Sequence, residues 1–349
     1  MIAAGKRRFN HLAGSLVLLL ISSVIALVIA EYAFRTIAEV KWRISAKLWQ
    51  HELYAMLPDS PLEYELYPGV TRENRIPDTG QTWSYRINAD GFRGDVFDPA
   101  ADRKRVLFVG DSYTFGWAVD EDEVLSEAVK RVLVNPPYNV DIEAYNLGVP
   151  GYNTFQEYYL LNQVIDRYAP ALVVLGYVMN DGEPQLNVPE RPSIRYKYVN
   201  SWLLAYIKEQ INYYVYDGKP ILNAGINIHA NYLQTAQENG AKWAEGRQAF
   251  VDMVTLCHKR NIPLVVVIHP DYTQPFNDQY AYRMIHEEVS RWADQNGVRA
   301  VDMLRHVRGK NSKELRVEGD GHPNGSAFAE TAQVLAPIIY ESLGVTELR

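Results

Sequence analysis

The hydrophobic pattern changes near residue 105, and the change divides the chain. From there to the C-terminus, short apolar runs alternate with amphipathic segments of helical period. The apolar runs predict five strands, in "RVLFVG", "VDIEAYNLG", "ALVVLGYV", "PLVVVIHP" and "VRAVDM". Strands that alternate with helices favour an α/β fold, in which a parallel sheet is built through right-handed crossovers.

An uncharged apolar run of 19 residues, Leu12–Ala30, is about one bilayer crossing long. Three basic residues precede it (Lys6, Arg7 and Arg8), whereas mixed charges follow it. The positive-inside rule then keeps the N-terminus in the cytoplasm and places the rest of the chain outside it, in the periplasm or beyond the cell. A cleaved signal peptide that ends near Ala30 is the alternative. Residues 1–35 are therefore interpreted as a cytoplasmic tip and single membrane anchor, or as a signal peptide.

Residues 36–104 are interpreted as an N-terminal extension, because prolines repeatedly interrupt regular structure there. Its first part favours a continuation of the membrane helix, and "TWSYRIN" alternates like a half-buried strand. Residues 105–349 form the main predicted domain. A tyrosine-rich insertion at about 182–240 breaks its alternation. Three interpretations of the insertion stay open: a segment packed on the domain, a lid or substrate platform, or an interfacial membrane helix.

Composition narrows the function classes. The net charge of −7 argues against a nucleic-acid surface, which needs a positive field. The single cysteine, Cys257, rules out an internal disulfide framework, and paired CxxC zinc motifs are absent. A metal-dependent hydrolase would need clustered ligands, and the histidines and acids near His258, His269 and His286 show no ligand spacing.

Polar residues and glycines follow the predicted strands at the ends where ligands bind in an open parallel sheet. The first strand ends at Gly110-Asp111-Ser112, and the others in "NLGVPGYN", "VMND" and "HPD". Ser112 has two interpretations, as the N-cap of a helix or as a nucleophile at a helix start. Asn180 is a candidate oxyanion donor through its side-chain amide, and Gly151 is one through its backbone N–H.

His322 lies in the loop "EGDGHPN" before the last predicted helix. Asp320 precedes it by two residues, so in an extended loop both side chains project to the same side. The carboxylate would then orient the imidazole and stabilise its cation. The order Ser…Asp-x-His and the absence of a GxSxG elbow argue against an α/β-hydrolase.

The blocks "GDSYTFG", "NLGVPGYN", "GYVMND" and "DGHPN" resemble, in this order, the four blocks of the SGNH (GDSL-type) hydrolase superfamily. The resemblance covers residues 105–340 and implies a flavodoxin-like α/β/α sandwich with a serine esterase site, without metal or cofactor. It implies Ser112 as nucleophile and His322 as base. It also implies an oxyanion hole made of the Ser112 and Gly151 N–H groups and the Asn180 side chain.

The chain departs from the family at the acid, because the position three residues before the histidine is Gly319. Asp320 is therefore predicted to orient His322, with Glu318 as the alternative. Asp111 is expected to brace its loop, and Asp111, Asp181 and His269 are possible substrate-lining residues.

The predicted activity is hydrolysis of an ester through an acyl-enzyme on Ser112. The substrates expected outside the cytoplasm are O-acylated envelope glycans or lipids. A polysaccharide O-acyltransferase with the same residues and a non-catalytic glycan-binding module are the alternatives. No nucleic-acid partner is expected.

Overall fold

The computed structural model describes residues 2–48, 53–57, 59–76, 78–182, 200–207 and 241–344. The chain divides into two compact units. One contains residues 1–49 and 188–226, and the other contains residues 50–187 and 227–349. Most of the predicted tyrosine-rich insertion lies outside the described residues.

A five-stranded parallel sheet forms the centre of the larger unit. Its strands are β5 (Lys104–Gly110), β6 (Ile142–Gly148), β7 (Leu172–Tyr177), β8 (Leu264–Ile268) and β9 (Arg299–Asp302). Their spatial order is β6-β5-β7-β8-β9. This is the flavodoxin-like order. The chain changes direction across the sheet at the boundary between β5 and β7, which are the first and third strands of the sheet in chain order. The predicted fold class is confirmed, and all five predicted strands are present.

Two helix pairs pack beside this sheet. α3 (Leu125–Val134) packs against α8 (Gly325–Ser342), and α4 (Thr154–Tyr168) packs against α5 (Ala241–His258). The larger unit also contains the helices α2 (Ser112–Phe115), α6 (Arg283–Gln295) and α7 (Met303–Val307). Right-handed crossovers require the two pairs to lie on opposite faces, because the chain reverses direction across the sheet after β6. β7 and β8 are buried along their whole length, as expected for central strands covered on both faces.

Two antiparallel hairpins precede the sheet. β1 (Tyr54–Leu57) pairs with β2 (Glu63–Leu66), and β3 (Thr71–Arg75) pairs with β4 (Thr82–Arg86). The predicted strand in "TWSYRIN" is β4, with Trp83 and Tyr85 facing inward. The expected continuation of the membrane helix is correct only up to Leu48, since residues 54–57 are strand. The described residues of the extension from 53 onward lie in the same compact unit as the sheet, whereas residues 36–48 belong to the other unit.

The smaller unit is built on the helix α1 (Ile2–Leu48). Its segment Ser15–Lys41 has a mean hydropathy of 2.5 and is the one helix among the described residues long and apolar enough to cross a membrane. A signal sequence meets the same criteria. A short helix at residues 202–207 binds to α1, because the Glu31 carboxylate accepts hydrogen bonds from the backbone N–H groups of Trp202 (2.8 Å) and Leu203 (3.1 Å).

Candidate active site

The turn after β5 places Ser112 at the first position of the short helix α2. The helix cap is Asp111, whose carboxylate accepts the Tyr113 N–H at 2.9 Å. The capping interpretation of Ser112 is therefore wrong, because its neighbour already satisfies the helix start. The Ser112 hydroxyl makes only a long contact with Asp111 Oδ2, at 3.4 Å, and is in reach of a further partner.

Close backbone packing fixes this turn against the sheet. A Cβ on Gly148, at the end of β6, would lie 2.2 Å from the Phe115 backbone nitrogen. The Asn146 side chain donates to the Thr114 carbonyl at 2.9 Å, and the Val149 N–H donates to the Gly110 carbonyl at 3.0 Å. The carboxyl ends of β5 and β6 therefore pack directly against α2 and fix its position.

His322 lies beside Ser112, although 210 residues separate them in the chain. Its Nε2 is 2.9 Å from the Ser112 hydroxyl oxygen. Its Nδ1 is hydrogen-bonded to the Asp320 carboxylate, which also accepts the His322 backbone N–H at 3.2 Å. Glu318 is exposed and makes no hydrogen bond to His322. The serine, the imidazole and one carboxylate thus form a continuous chain, an arrangement suited to proton transfer from the hydroxyl.

The loop of Asp320 and His322 has an unusual backbone. Gly319 and Gly321 both have positive φ, at 81° and 97°, on either side of the acid. A Cβ on Gly321 would lie 2.9 Å from Thr273 Cγ2, so a larger residue is disfavoured there by close contact as well as by φ. Asn324 caps α8 and donates to the Glu314 and Arg316 carbonyls, which closes the loop. This backbone geometry brings the side chains of Asp320 and His322 into contact, although only one residue separates them in the chain.

The pKa of Asp320 reflects two opposing effects. Burial would raise it, because only 22% of the side chain is exposed. Hydrogen bonds and charge from His322, together with the Trp117 indole, outweigh burial and hold the pKa below its ordinary value. The carboxylate is therefore ionised at neutral pH and able to stabilise an imidazolium.

Of the predicted oxyanion donors, the Asn180 side chain is hydrogen-bonded to the turn that carries Ser112. The Asn180 amide is buried and donates to Asp111 Oδ2 at 3.1 Å, which fixes its orientation next to the Ser112 turn. An amide carries two N–H bonds, so a second donor remains. Gly151 has φ 86°, and its N–H donates no hydrogen bond to another described residue.

The residues predicted as possible substrate-lining are almost fully buried. Asp111, Asp181 and His269 have exposures of 2%, 1% and 2%. Such burial favours support of the site over contact with substrate. Burial, with the charge of His286 added, lowers the pKa of His269 to about 3, so that imidazole is neutral.

A pair of buried carboxyl groups lies behind the Asn180 turn. Burial raises the pKa of both Glu157 and Asp181 well above the ordinary range, and the charge of Asp111 raises both further. Neither Glu157 oxygen has a hydrogen-bond partner among the described residues, whereas Asp181 accepts the Val178 N–H at 2.8 Å. Burial therefore disfavours the charged form of both carboxyl groups, and Asp181 shapes the backbone next to Asn180.

Trp117 is a residue of the site that the sequence did not indicate. Its indole Nε1 donates to Asp320 Oδ2 at 3.2 Å, and its ring centroid lies 6.3 Å from that of His322. The only sequence signal is its place directly after "GDSYTFG". No general rule connects an aromatic residue there with an acid 203 residues away.

The sequence pattern of the GDSL-like lipase/acylhydrolase family matches residues 108–328. This range spans more than half of the chain and contains Ser112, Gly151, Asn180 and His322. The chain belongs to this family, and the predicted enzyme class, an ester hydrolase of the SGNH type, is confirmed.

Solved structures with a similar fold have low sequence identity. TesA is 14% identical (TM-score 0.45), with 68% of this chain and 99% of that chain covered. The psychrotrophic esterase EstA from Pseudoalteromonas sp. is 13% identical (TM-score 0.39; 69% and 97% covered). A two-domain esterase active on acetylated mannans is 14% identical (TM-score 0.43; 69% and 50% covered). No curated protein matches the chain.

Proposed function

We propose that this protein hydrolyses esters through an acyl-enzyme on Ser112 and acts outside the cytoplasm. The observation that carries the proposal is the chain from the Ser112 hydroxyl through both nitrogens of His322 to Asp320. Membership of the GDSL-like family gives the reaction class.

The proposed reaction has two half-reactions. His322 accepts the proton of Ser112 as its oxygen attacks the ester carbonyl, and Asp320 stabilises the resulting imidazolium. The Ser112 and Gly151 N–H groups and the Asn180 amide bind the oxyanion. His322 then protonates the leaving alcohol, and water attacks the acyl-enzyme with His322 again as base.

The proposed substrates are O-acylated envelope glycans or lipids. Support comes from the apolar N-terminal helix, which as an anchor would hold the enzyme at a membrane surface with its domain outside the cytoplasm. The same residues would serve an O-acyltransferase if a sugar hydroxyl replaced water. A hydrolase releases the free acid at the same rate with or without added acceptor sugars, whereas a transferase forms a new ester.

Fluorophosphonate labelling and turnover of p-nitrophenyl acetate test the proposal. Ser112→Ala is expected to abolish both, and Ser326→Ala, a change at an exposed serine of α8, to leave both unaltered. Undiminished labelling or turnover in Ser112→Ala would refute the nucleophile. Short-chain, long-chain and O-acetylated-sugar esters, compared with the active enzyme, identify the substrate class.

A further inference from the structure

Trp117 contacts both Trp83 of the N-terminal extension and Asp320 of the candidate site. Its indole N–H donates to one oxygen of Asp320, while the other oxygen accepts from His322. We propose that Trp117 is a positioning residue that holds the Asp320 carboxylate toward His322. The inference rests on the proposed role of Asp320 and His322 in ester hydrolysis.

The backbone of the acid loop explains why a second anchor is needed. Asp320 lies between two glycines with positive φ, and 22% of its side chain is exposed to water. With hydrogen bonds only on the His322 side, its free oxygen would be solvated by water, which does not fix a rotamer. The indole N–H replaces that water with a donor of fixed position, and hydrogen bonds to a carboxylate are stronger than neutral ones.

Trp117 is itself held by residues of the extension. Its ring packs on Trp83 of β4, with 5.2 Å between the ring centroids. Trp83 is 4% exposed, so it offers a fixed surface. The Trp117 backbone N–H donates to the Ser112 carbonyl at 2.9 Å, which ties Trp117 to the same turn as the proposed nucleophile.

Arg93, also in the extension, fixes the loop on both sides of Trp117. The buried guanidinium donates to the carbonyls of Phe115 (3.0 Å), Gly116 (2.6 Å) and Val119 (2.7 Å). It also donates to the Ser84 carbonyl at 2.9 Å, which connects the loop to β4. Residues before the sheet therefore determine where the indole N–H points.

Trp117→Phe tests the role, because it keeps an aromatic ring and removes the donor. We expect kcat to fall about tenfold, the effect of losing one charge-assisted hydrogen bond, with KM unchanged. In an Asp320→Ala background the same substitution should cause no further fall, since its effect passes through the carboxylate. Replacement of Trp117 by benzothienylalanine, which keeps the bicyclic shape but has sulfur in place of the N–H, should reproduce the loss without disturbing packing.

Trp292→Phe is the matched control. This tryptophan of α6 also donates its indole N–H to a carboxylate, that of Glu288 at 2.8 Å. Trp292→Phe should lower kcat by the same factor in the wild type and in the Asp320→Ala background, because the two sites act independently. Full kcat in the benzothienylalanine enzyme, or multiplied effects of Trp117→Phe and Asp320→Ala, would overturn the inference. Turnover by Ser112→Ala would instead contradict the proposed function.

Discussion

The Ser112 hydroxyl does not cap α2, because the carboxylate of its neighbour Asp111 does. Asp111 is buried and accepts from both the Tyr113 N–H and the Asn180 amide. One carboxyl group thus supports the start of α2 and orients a proposed oxyanion donor. Burial raises the pKa of Asp111, and these two donors and the Ser112 hydroxyl oppose that effect. Asp111, expected to brace its loop and named as a possible substrate-lining residue, therefore links two parts of the site.

His269 gives a pH-dependent prediction at the residue scale. The pKa of His269 is about 3 in the folded protein, whereas its ordinary value of 6.5 applies to the unfolded chain. At a pH between these two values the unfolded chain therefore binds more protons than the folded protein. Stability from the neutral imidazole is therefore complete above pH 6.5 and is lost as the pH falls toward 3. The loss between pH 7 and pH 5 should be about 2 kcal/mol.

Urea unfolding of the wild type and His269→Phe at several pH values measures this effect. The difference between their free energies of unfolding should change by that amount over the interval, because the contributions of other titrating groups cancel. His306→Gln, a change at an exposed histidine of α7, is the control for loss of a surface imidazole. A pH-independent difference for His269→Phe would mean that the imidazole is not held neutral.

At the scale of elements, the strand ends of β5 and β6 and the helix α2 form one tightly packed group. Gly148→Ala would place a methyl group against the backbone of Thr114 and Phe115, which carries no flexible atoms to move aside. We expect a loss of about 3 kcal/mol in the free energy of unfolding. Esterase activity should fall further than the folded fraction, because α2 must shift together with Ser112.

Gly69→Ala is the comparison for this prediction. Gly69 has φ 75°, and no atom lies within 4 Å of the position that the alanine methyl group would take, so the substitution meets backbone strain alone. Its cost should be about 1 kcal/mol, with activity per folded molecule retained. Equal losses in the two variants would show that close packing at Gly148 is not what holds the nucleophile turn.

The elements were predicted unevenly along the chain. The five sheet strands are recognisable because apolar residues fill them, and β4 because Trp83 and Tyr85 alternate with polar residues. β3 was not predicted, since "TRENR" is polar throughout and largely exposed. Its pairing with β4, and not its own hydrophobicity, makes it a strand.

At the scale of the whole molecule, the apolar part of α1 is a candidate membrane anchor or signal sequence. Leu20 and Val24 are 65% and 58% exposed on this helix, as expected for side chains that face lipid. We expect the full-length chain to remain in the membrane fraction after an alkaline wash. Leu20→Arg combined with Val24→Arg should release it, because each arginine costs about 3 kcal/mol within the bilayer.

Val96→Arg, a change at an exposed apolar residue of the larger unit, should leave the chain in the membrane fraction. Mass spectrometry of the purified protein separates the two interpretations of the N-terminus. An anchor keeps residues 1–35 in the mature chain, whereas loss of the residues up to Ala30 would identify a cleaved signal peptide.

The sequence by itself determined the fold class, the family and most of the candidate site. Apolar runs of strand length and polar residues at their ends are local properties, so they can be recognised without knowing what packs where. The same is true of Ser112, Gly151, Asn180 and His322, which lie in short motifs. The strand order then follows from the family, and the sheet has that order.

Only the tertiary structure decided which groups support these residues. The contacts of Asp320 with His322, of Trp117 with Asp320, and of Arg93 with the loop after α2 depend on backbone geometry or on partners far apart in the chain. Sequence spacing left Asp320 and Glu318 as alternatives, because the direction of a carboxylate depends on φ at the neighbouring glycines. The helix cap at Asp111 was decided in the same way, by which of two adjacent oxygens lies within reach of the Tyr113 N–H.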